Sequence, residues 1–239
     1  PPDQFERFLA NLRDGMSKKV HCVGADFCQE LSGAADTDFS RTYQGSPGSR
    51  IICRSENLAL LADMSPLTTG HLLLVSNEHY LSFGEVVRDH ATEVEDALKL
   101  IYGQYSMTFG ELVVMEHGSS QEMDGSACIT HAHMHFLPLR LDAVHRAMTE
   151  DGLTALELTG IKDLKRLGER GLPYFYCGDS TRHRVYGVAR KMRRQYLRSI
   201  AGKLLGIADP EWDYAVVLRK ELLRATLART AGWHISHHS

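Results

Sequence analysis

Residues 131 to 136 read His-Ala-His-Met-His-Phe, so histidine and apolar residues alternate without a break. A β-strand turns successive side chains to opposite faces, and this period of two therefore predicts a strand. In such a strand His131, His133 and His135 share one face, while the residues between them enter the core. A neutral imidazole can be a nucleophile, a proton donor or acceptor, or a metal ligand. The segment therefore predicts a surface for chemistry or for metal binding.

Apolar periodicity predicts the elements around this strand. Turn residues separate three apolar runs that predict an antiparallel meander: Arg50 to Arg54, Leu58 to Ala62 and His71 to Val75. A helical repeat from Glu85 to Tyr105 predicts a long helix that covers the sheet, and Glu111 to Glu116 predicts a further strand. An amphipathic helix is expected at residues 4–13. The Gly- and Ser-rich stretch from Cys28 to Ser49 predicts a long irregular connection.

The pattern changes after Arg140. Two helical segments are followed by a tyrosine-rich hairpin closed at Gly178 to Ser180, and then by helices expected at residues 190–205 and 214–229. The predicted fold class is therefore α+β, with an antiparallel sheet, a long covering helix and a mostly helical C-terminal extension that contains the hairpin. We expect two units, residues 1–145 and an extension of residues 146–239 that packs on the first.

Composition narrows the class of protein. The chain has 239 residues, of which 43% are hydrophobic, so it can bury a full core. Its net charge of -3 makes general nucleic-acid binding unexpected. Five cysteines, an odd number, favour reduced thiols and a cytoplasmic location. No apolar run approaches the ~18 residues that cross a bilayer, so we expect no membrane partner.

Two motifs resemble the histidine triad superfamily, whose members hydrolyse or transfer nucleotidyl groups. HAHMHFLP, at 131–138, resembles its signature, and NLALLADMSPLTTGHLLLVSNEH, at 57–79, resembles the strand, turn and strand that precede it. Both occur in the superfamily's order and spacing, and the resemblance covers about residues 17–140. It implies that residues 1–145 form a catalytic domain of this type and that the substrate is a nucleotide or nucleotide conjugate. It also implies a homodimer, because many members are dimers.

The resemblance assigns roles to individual residues. His133, at the centre of the triad, would attack the α-phosphate and form a covalent nucleotidyl-histidine, and His131 and His135 would donate hydrogen bonds to the phosphate oxygens. Asp63 stands at the position of the superfamily's ribose-binding acid, and His71 would help to hold the site. Uridylyltransferase relatives have glutamine where this chain has His135, which favours hydrolysis over transfer.

Other polar residues are candidates for binding the substrate. His117, Ser120 and Gln121 precede the triad strand by the length of a loop, so they could reach the phosphate. Cys128 stands where many relatives carry a hydroxyl. Residues 182–203 contain eight lysines and arginines and no acid, and Arg194 and Arg198 in this basic run are candidate phosphate ligands.

The sequence leaves three alternatives open. Zinc-binding relatives carry two cysteines separated by two residues, whereas Cys22 and Cys28 have five residues between them and Ala25 occupies the expected first position. No cofactor is therefore expected to be required, with zinc at Cys22, Cys28, His79 and His131 as the alternative. The chain could also be a catalytically silent nucleotide-binding regulatory module. Thirdly, the three triad histidines could hold the metal of a metal-dependent hydrolase.

Overall fold

The computed structural model describes residues 4–10, 26–118, 131–188, 192–208, 211–213 and 217–236. These residues form one eight-stranded sheet in which every hydrogen-bonded strand pair is antiparallel. In chain order the strands are β1 (Ile51–Arg54), β2 (Leu58–Ala62), β3 (Leu72–Ser76), β4 (Val113–Gly118), β5 (His133–Leu137), β6 (Ala155–Leu158), β7 (Tyr174–Gly178) and β8 (His183–Gly187). Across the sheet they lie in the order β1, β2, β3, β5, β4, β7, β8, β6.

Helices cover both faces of this sheet. They are α1 (Gln4–Ala10), α2 (Asp26–Leu31), α3 (Asp38–Tyr43), α4 (Phe83–Phe109), α5 (Leu141–Glu150), a 3-10 turn at Ile161–Leu164, α6 (Lys165–Arg170), α7 (Tyr196–Leu204) and α8 (Lys220–Arg229). In the described ranges no helix combines the length and the apolar character that a membrane span requires. The predicted α+β class, with an antiparallel sheet, a long covering helix and additional C-terminal helices, is confirmed.

The two faces of the sheet carry different partners. On one face, α4 packs against inward-pointing residues of the central strands, among them Leu60, Leu74, Met134 and Phe136. On the other face, Phe27 and Leu31 of α2 pack against residues of β2 and β3, and α5 and α7 pack over β4, β7 and β8. The odd-numbered residues of β5 point to this second face, between α2 on one side and α5 and α7 on the other. His133 and His135 occupy this position.

The predicted irregular connection between Cys28 and Ser49 is wrong, because this stretch contains most of α2 and all of α3. Thr37 and Ser40 cap α3 reciprocally: the Ser40 amide donates to Thr37 Oγ1 at 3.0 Å, and the Thr37 amide donates to Ser40 Oγ at 2.9 Å. Phe39 then anchors the helix and is only 5% exposed. A helix of 6 residues is too short for its apolar spacing to stand out among Gly, Ser, Asp and Thr.

The C-terminal half joins the same sheet. The predicted hairpin is present as β7 and β8, and β7 pairs with β4, with His117 opposite Phe175. Strand β6, which was not predicted, pairs with β8 at the edge of the sheet. The sheet therefore continues past the expected boundary between residues 145 and 146, which falls inside α5. The division into two units stays a prediction.

Candidate active site

A cavity lies over β5 on the face of the sheet opposite α4. Phe27 and Phe39 line it from the side of α2 and α3, residues 195–198 line it from the side of α7, and His133 and His135 lie between them. The predicted alternation is present, since the intervening side chains point into the core and are at most 1% exposed: Ala132, Met134 and Phe136. The cavity thus combines three imidazoles, those of His117, His133 and His135, with aromatic and basic side chains.

His133 has one ring nitrogen committed to its own backbone. Its Nδ1 lies 2.7 Å from the carbonyl oxygen of His131, and a carbonyl can only accept, so Nδ1 carries the hydrogen. The other nitrogen, Nε2, is then left with an unprotonated lone pair. Burial lowers the pKa of His133 below its ordinary value, which keeps the ring neutral at pH 7. His133 therefore has the protonation state of a nucleophile.

A hydrogen-bond chain sets the opposite tautomer in His135. The amide of Leu67 donates to Nδ1 of His71 at 3.2 Å, so the proton of the neutral His71 ring is on Nε2. This Nε2 lies 2.9 Å from Nδ1 of His135, which must accept the bond, and His135 is left with Nε2–H. Burial lowers the pKa of His71 to about 4 and that of His135 well below its usual value. His135 is therefore a neutral hydrogen-bond donor beside His133.

Asp63 is held by groups from two distant parts of the chain. The amide of Ser65 donates to Oδ1 at 2.8 Å, and Nη1 of Arg198 donates to Oδ2 at 3.0 Å. Burial opposes ionisation of Asp63, but the positive charges that His71, Arg198 and His135 carry at the low pH where this carboxyl titrates outweigh it and hold its pKa below the ordinary value. Of these three, only Arg198 is charged at pH 7, since the pKa values of His71 and His135 are lowered. Asp63 is thus a carboxylate on the wall of the cavity.

His131 belongs to a different cluster. Its Nε2 lies 2.7 Å from the carbonyl oxygen of Ser76, and its Nδ1 lies 3.3 Å from Sγ of Cys28. Sγ of Cys28 is also 3.4 Å from Nδ1 of His79. Both ring nitrogens of His131 therefore have partners outside the cavity, and no ring nitrogen is left to donate to a phosphate. Its carbonyl nevertheless orients His133.

The Cys28 cluster fits a metal ion. The ligand atoms of Cys28, His79 and His131 all lie within 4.8 Å of one another. Tetrahedral zinc, with bonds of about 2.0 to 2.3 Å, separates its ligand atoms by about 3.5 Å, close to the distances found. Nε2 of His131 also bonds a backbone carbonyl, as the second nitrogen of a zinc-bound histidine usually does. The fourth candidate, Cys22, lies outside the described residues.

A second group of potential ligands fits a metal less well. Oxygen or nitrogen atoms of Asp63, His71 and His135 also lie within 4.8 Å of one another. However, the Arg198 guanidinium already neutralises Asp63, and both nitrogens of His71 are hydrogen-bonded. Neither group includes His133, so within the described ranges the three triad histidines do not surround one point.

Of the other residues that the sequence suggests for substrate binding, some line the cavity and some do not. His117 lies on β4 and lines the cavity, and burial lowers its pKa to about 4. Arg198 also lines the cavity, whereas Arg194 is exposed and is not among the lining residues. Ser120, Gln121 and Cys128 lie outside the described residues.

Sequence reasoning missed much of the cavity wall, including Phe27, Phe39, Arg50 and Gln195. Phe27 and Phe39 flank the guanidinium of Arg50, whose Cζ is 5.3 Å and 5.8 Å from the two ring centroids. The capped segment from Thr37 to Ser40 was the available signal for Phe39. Gln195 also lines the cavity, and no pattern in the sequence predicts this, because a single glutamine before a helix carries none.

Comparisons with known proteins give only remote similarities. No family model matches the chain. The curated proteins also contain no match to it.

Among solved structures, the chain is similar to a hypothetical histidine triad nucleotide-binding protein of Sulfolobus tokodaii, with 20% identity, a TM-score of 0.32 and coverage of 42% of this chain and 66% of that one. A Hit-like protein of Bartonella henselae, involved in cell-cycle regulation, has 17% identity, a TM-score of 0.33 and coverage of 44% and 80%. A GalT-like protein of Arabidopsis thaliana has 10% identity, a TM-score of 0.36 and coverage of 77% and 89%. Likenesses at these scores say nothing about what the chain binds or catalyses.

Proposed function

We propose that this chain is a nucleotide-binding enzyme that cleaves a nucleotide derivative at its α-phosphate through a covalent nucleotidyl-histidine on His133. One observation carries the proposal. The Nδ1–H of His133 donates to the carbonyl oxygen of His131 at 2.7 Å, which leaves Nε2 of the neutral ring unprotonated. His133 also lines the cavity. A histidine with this tautomer is prepared for in-line attack.

The reaction divides into two displacements. In the first, the Nε2 lone pair of His133 forms a bond to the α-phosphorus, and the bond from phosphorus to the leaving group breaks with its electron pair. The leaving group takes up one proton. In the second, water attacks the same phosphorus, the bond to His133 breaks, and the water returns one proton. We propose hydrolysis and not transfer because the third residue of the triad is His135, whereas uridylyltransferase relatives have glutamine at this position.

Neighbouring residues would bind the substrate in this scheme. The Nε2–H of His135 would donate to a nonbridging oxygen as negative charge gathers on the phosphate. A carboxylate accepts hydrogen bonds from hydroxyls, so Asp63 would bind the ribose. Phe27 and Phe39, on the β3 side of His133, would contact the base. His131 would act through its backbone carbonyl, as a positioning residue for His133.

We also propose that Cys28, His79 and His131 hold a structural zinc ion. The proposal is supported by the 3.3 Å and 3.4 Å separations of their ligand atoms and by the bond from His131 to the Ser76 carbonyl. Such an ion would fix α2, which bears Cys28, against the residue that precedes β5. No catalytic step is assigned to it.

A substrate panel tests the enzymatic proposal. Adenosine and guanosine polyphosphates, phosphoramidates and nucleotide sugars are incubated with wild type and with His133→Ala, and mononucleotide release is measured by mass spectrometry. Wild type should release mononucleotide from at least one class, and His133→Ala should be slower by about a thousandfold or more. His234→Ala, which changes an exposed histidine outside the cavity, is the control. Activity of His133→Ala near that of wild type would contradict the assignment.

A further inference from the structure

Gln195 has an unusual position at the start of α7. Its backbone is left-handed, with φ 53° and ψ 34°, a region that residues other than glycine, asparagine and aspartate seldom adopt. Its Nε2 donates to Oδ1 of Asp213 at 2.8 Å. Because a carboxylate only accepts, this bond fixes the amide nitrogen toward Asp213 and the amide oxygen away from it. Strain of this kind often accompanies a functional site.

The amide oxygen of Gln195 is buried and accepts no hydrogen bond from the described residues. The same is true of Nε2 of His117, which also lines the cavity. Leaving a buried polar atom without a partner costs free energy, so both atoms are prepared to bind a group that enters the cavity. A bound ligand would supply the missing partners.

Both residues lie on one side of His133. Strand β5 pairs with β3 on one edge and with β4 on the other. Phe27 packs over β2 and β3, whereas His117 lies on β4 and contacts Phe175 of β7, with ring centroids 4.7 Å apart. Phe175 in turn contacts Tyr196, the neighbour of Gln195, with centroids 5.0 Å apart. If the nucleoside lies on the β3 side, the leaving group lies beside His117 and Gln195.

The charges around the cavity restrict what this leaving group can be. Two guanidinium groups and four carboxylates line it: Arg50, Arg198, Asp26, Glu30, Asp38 and Asp63. Arg50 is paired with Glu30 at 2.7 Å, and Arg198 is paired with Asp63 at 3.0 Å. Among the described lining residues, no cation is left over to neutralise a second or third phosphate.

We propose that Gln195 and His117 form a leaving-group subsite that selects a nucleotide whose α-phosphate carries an N–H- or O–H-bearing group rather than a further phosphate. Gln195 is the specificity-determining residue, because its amide oxygen accepts the hydrogen bond that such a group donates. The subsite rests on the proposed reaction at His133. In the first displacement, the leaving nitrogen or oxygen receives the electron pair of its bond to phosphorus and one proton from solvent, and in the second displacement the attacking water releases one proton to solvent.

Three substrates with the same nucleoside test the subsite in the full chain: a 5′-phosphoramidate, which bears N–H, a 4-nitrophenyl phosphodiester, which has no donor, and a dinucleoside polyphosphate. The wild type should have a higher kcat/KM with the phosphoramidate than with the polyphosphate, with or without Mg²⁺. Gln195→Met should lower kcat/KM for the phosphoramidate about tenfold, as expected for one lost hydrogen bond, and change the nitrophenyl ester by less than about twofold. Retained ester cleavage shows that the variant is folded.

Lys203→Met, an exposed change in the same helix, is the matched control and should leave all three values unchanged. Preference of the wild type for the polyphosphate would overturn the proposal. So would an equal loss on all three substrates, or an unchanged phosphoramidate rate in Gln195→Met. Failure of the reaction proposed at His133 is a different result, in which none of the three substrates yields a nucleotidyl-histidine.

Discussion

Arg198 of α7 donates from Nη1 to Oδ2 of Asp63, 3.0 Å away, across 135 positions of sequence. The same guanidinium donates to the carbonyl oxygens of Ser65 at 2.7 Å and Trp212 at 3.1 Å. The pair is largely buried, with side-chain exposures of 12% for Arg198 and 8% for Asp63. The C-terminal half of the chain thus holds the carboxylate that the sequence suggests for ribose binding.

Removing Arg198 should destabilise the fold. Arg198→Met leaves the Asp63 carboxylate buried without its cation, and losing one partner of a buried pair costs about 3 to 5 kcal/mol. The free energy of unfolding in urea measures the effect. The double variant Asp63→Asn, Arg198→Met should recover part of the loss, because no charge is left unpaired. Equal stability of Arg198→Met and wild type would show that the pair does not act as described.

Two substitutions of His71 should separate its two hydrogen bonds. Gln can place an amide N–H where Nε2 of His71 donates to His135, whereas Asn can only replace the Nδ1 side that accepts from Leu67. Since the donor to His135 fixes its tautomer, His71→Gln should retain about tenfold more kcat than His71→Asn. Steady-state kinetics with nucleotide affinity measured separately tests this. If His71→Asn is the more active variant, His135 is not oriented through His71.

Zinc removal should lower thermal stability. We expect about one zinc per chain in purified protein and a lower Tm after chelation, because an ion that binds only the folded state stabilises it. Cys28→Ser should lose the metal, and Cys53→Ser, which changes a half-buried thiol elsewhere, should keep it. Elemental analysis and thermal unfolding provide both readouts. The proposed site would be contradicted if protein from cells grown with zinc contains no zinc and if its Tm is the same with and without the metal.

Glu116 should make the protein less stable as the pH rises. Burial, helped by the nearby negative charge of Glu85, raises the pKa of its carboxyl to about 8, although the Phe83 amide and the Tyr174 hydroxyl donate to it and oppose the shift. The folded-state pKa lies above the unfolded one, so this contribution is complete below about pH 4.3 and is lost as the pH rises to about 8. The loss is on the order of 5 kcal/mol.

Glu116→Gln has no carboxyl to titrate, so its stability should lack this component. Urea unfolding of both proteins between pH 5 and pH 9 isolates the component as a difference, since the buried histidines contribute equally to both. Parallel pH profiles would mean that Glu116 is ionised in the folded protein at neutral pH.

Local patterns predicted the strands around the triad and the long helix, because each is long or regular enough for its period to be visible. The contacts that complete the cavity are of another kind. The pair between Asp63 and Arg198 depends on how α7 packs, and the buried amide oxygen of Gln195 depends on a left-handed backbone that no neighbouring residue signals. The two ring nitrogens of His131 likewise acquire their partners only when Ser76 and Cys28 are placed beside them. Alternation therefore predicted which face His131 occupies but not that its ring is turned toward Cys28.

Trapping the covalent intermediate tests the central claim most directly. Wild type is mixed with a substrate identified in the panel, quenched within the first turnovers under conditions that preserve phosphorus–nitrogen bonds, and analysed by mass spectrometry of the intact chain and its peptides. The account predicts a mass increase of one nucleotidyl group on His133, absent from His133→Ala. Turnover with the adduct on another residue, or unimpaired turnover by His133→Ala, would contradict it.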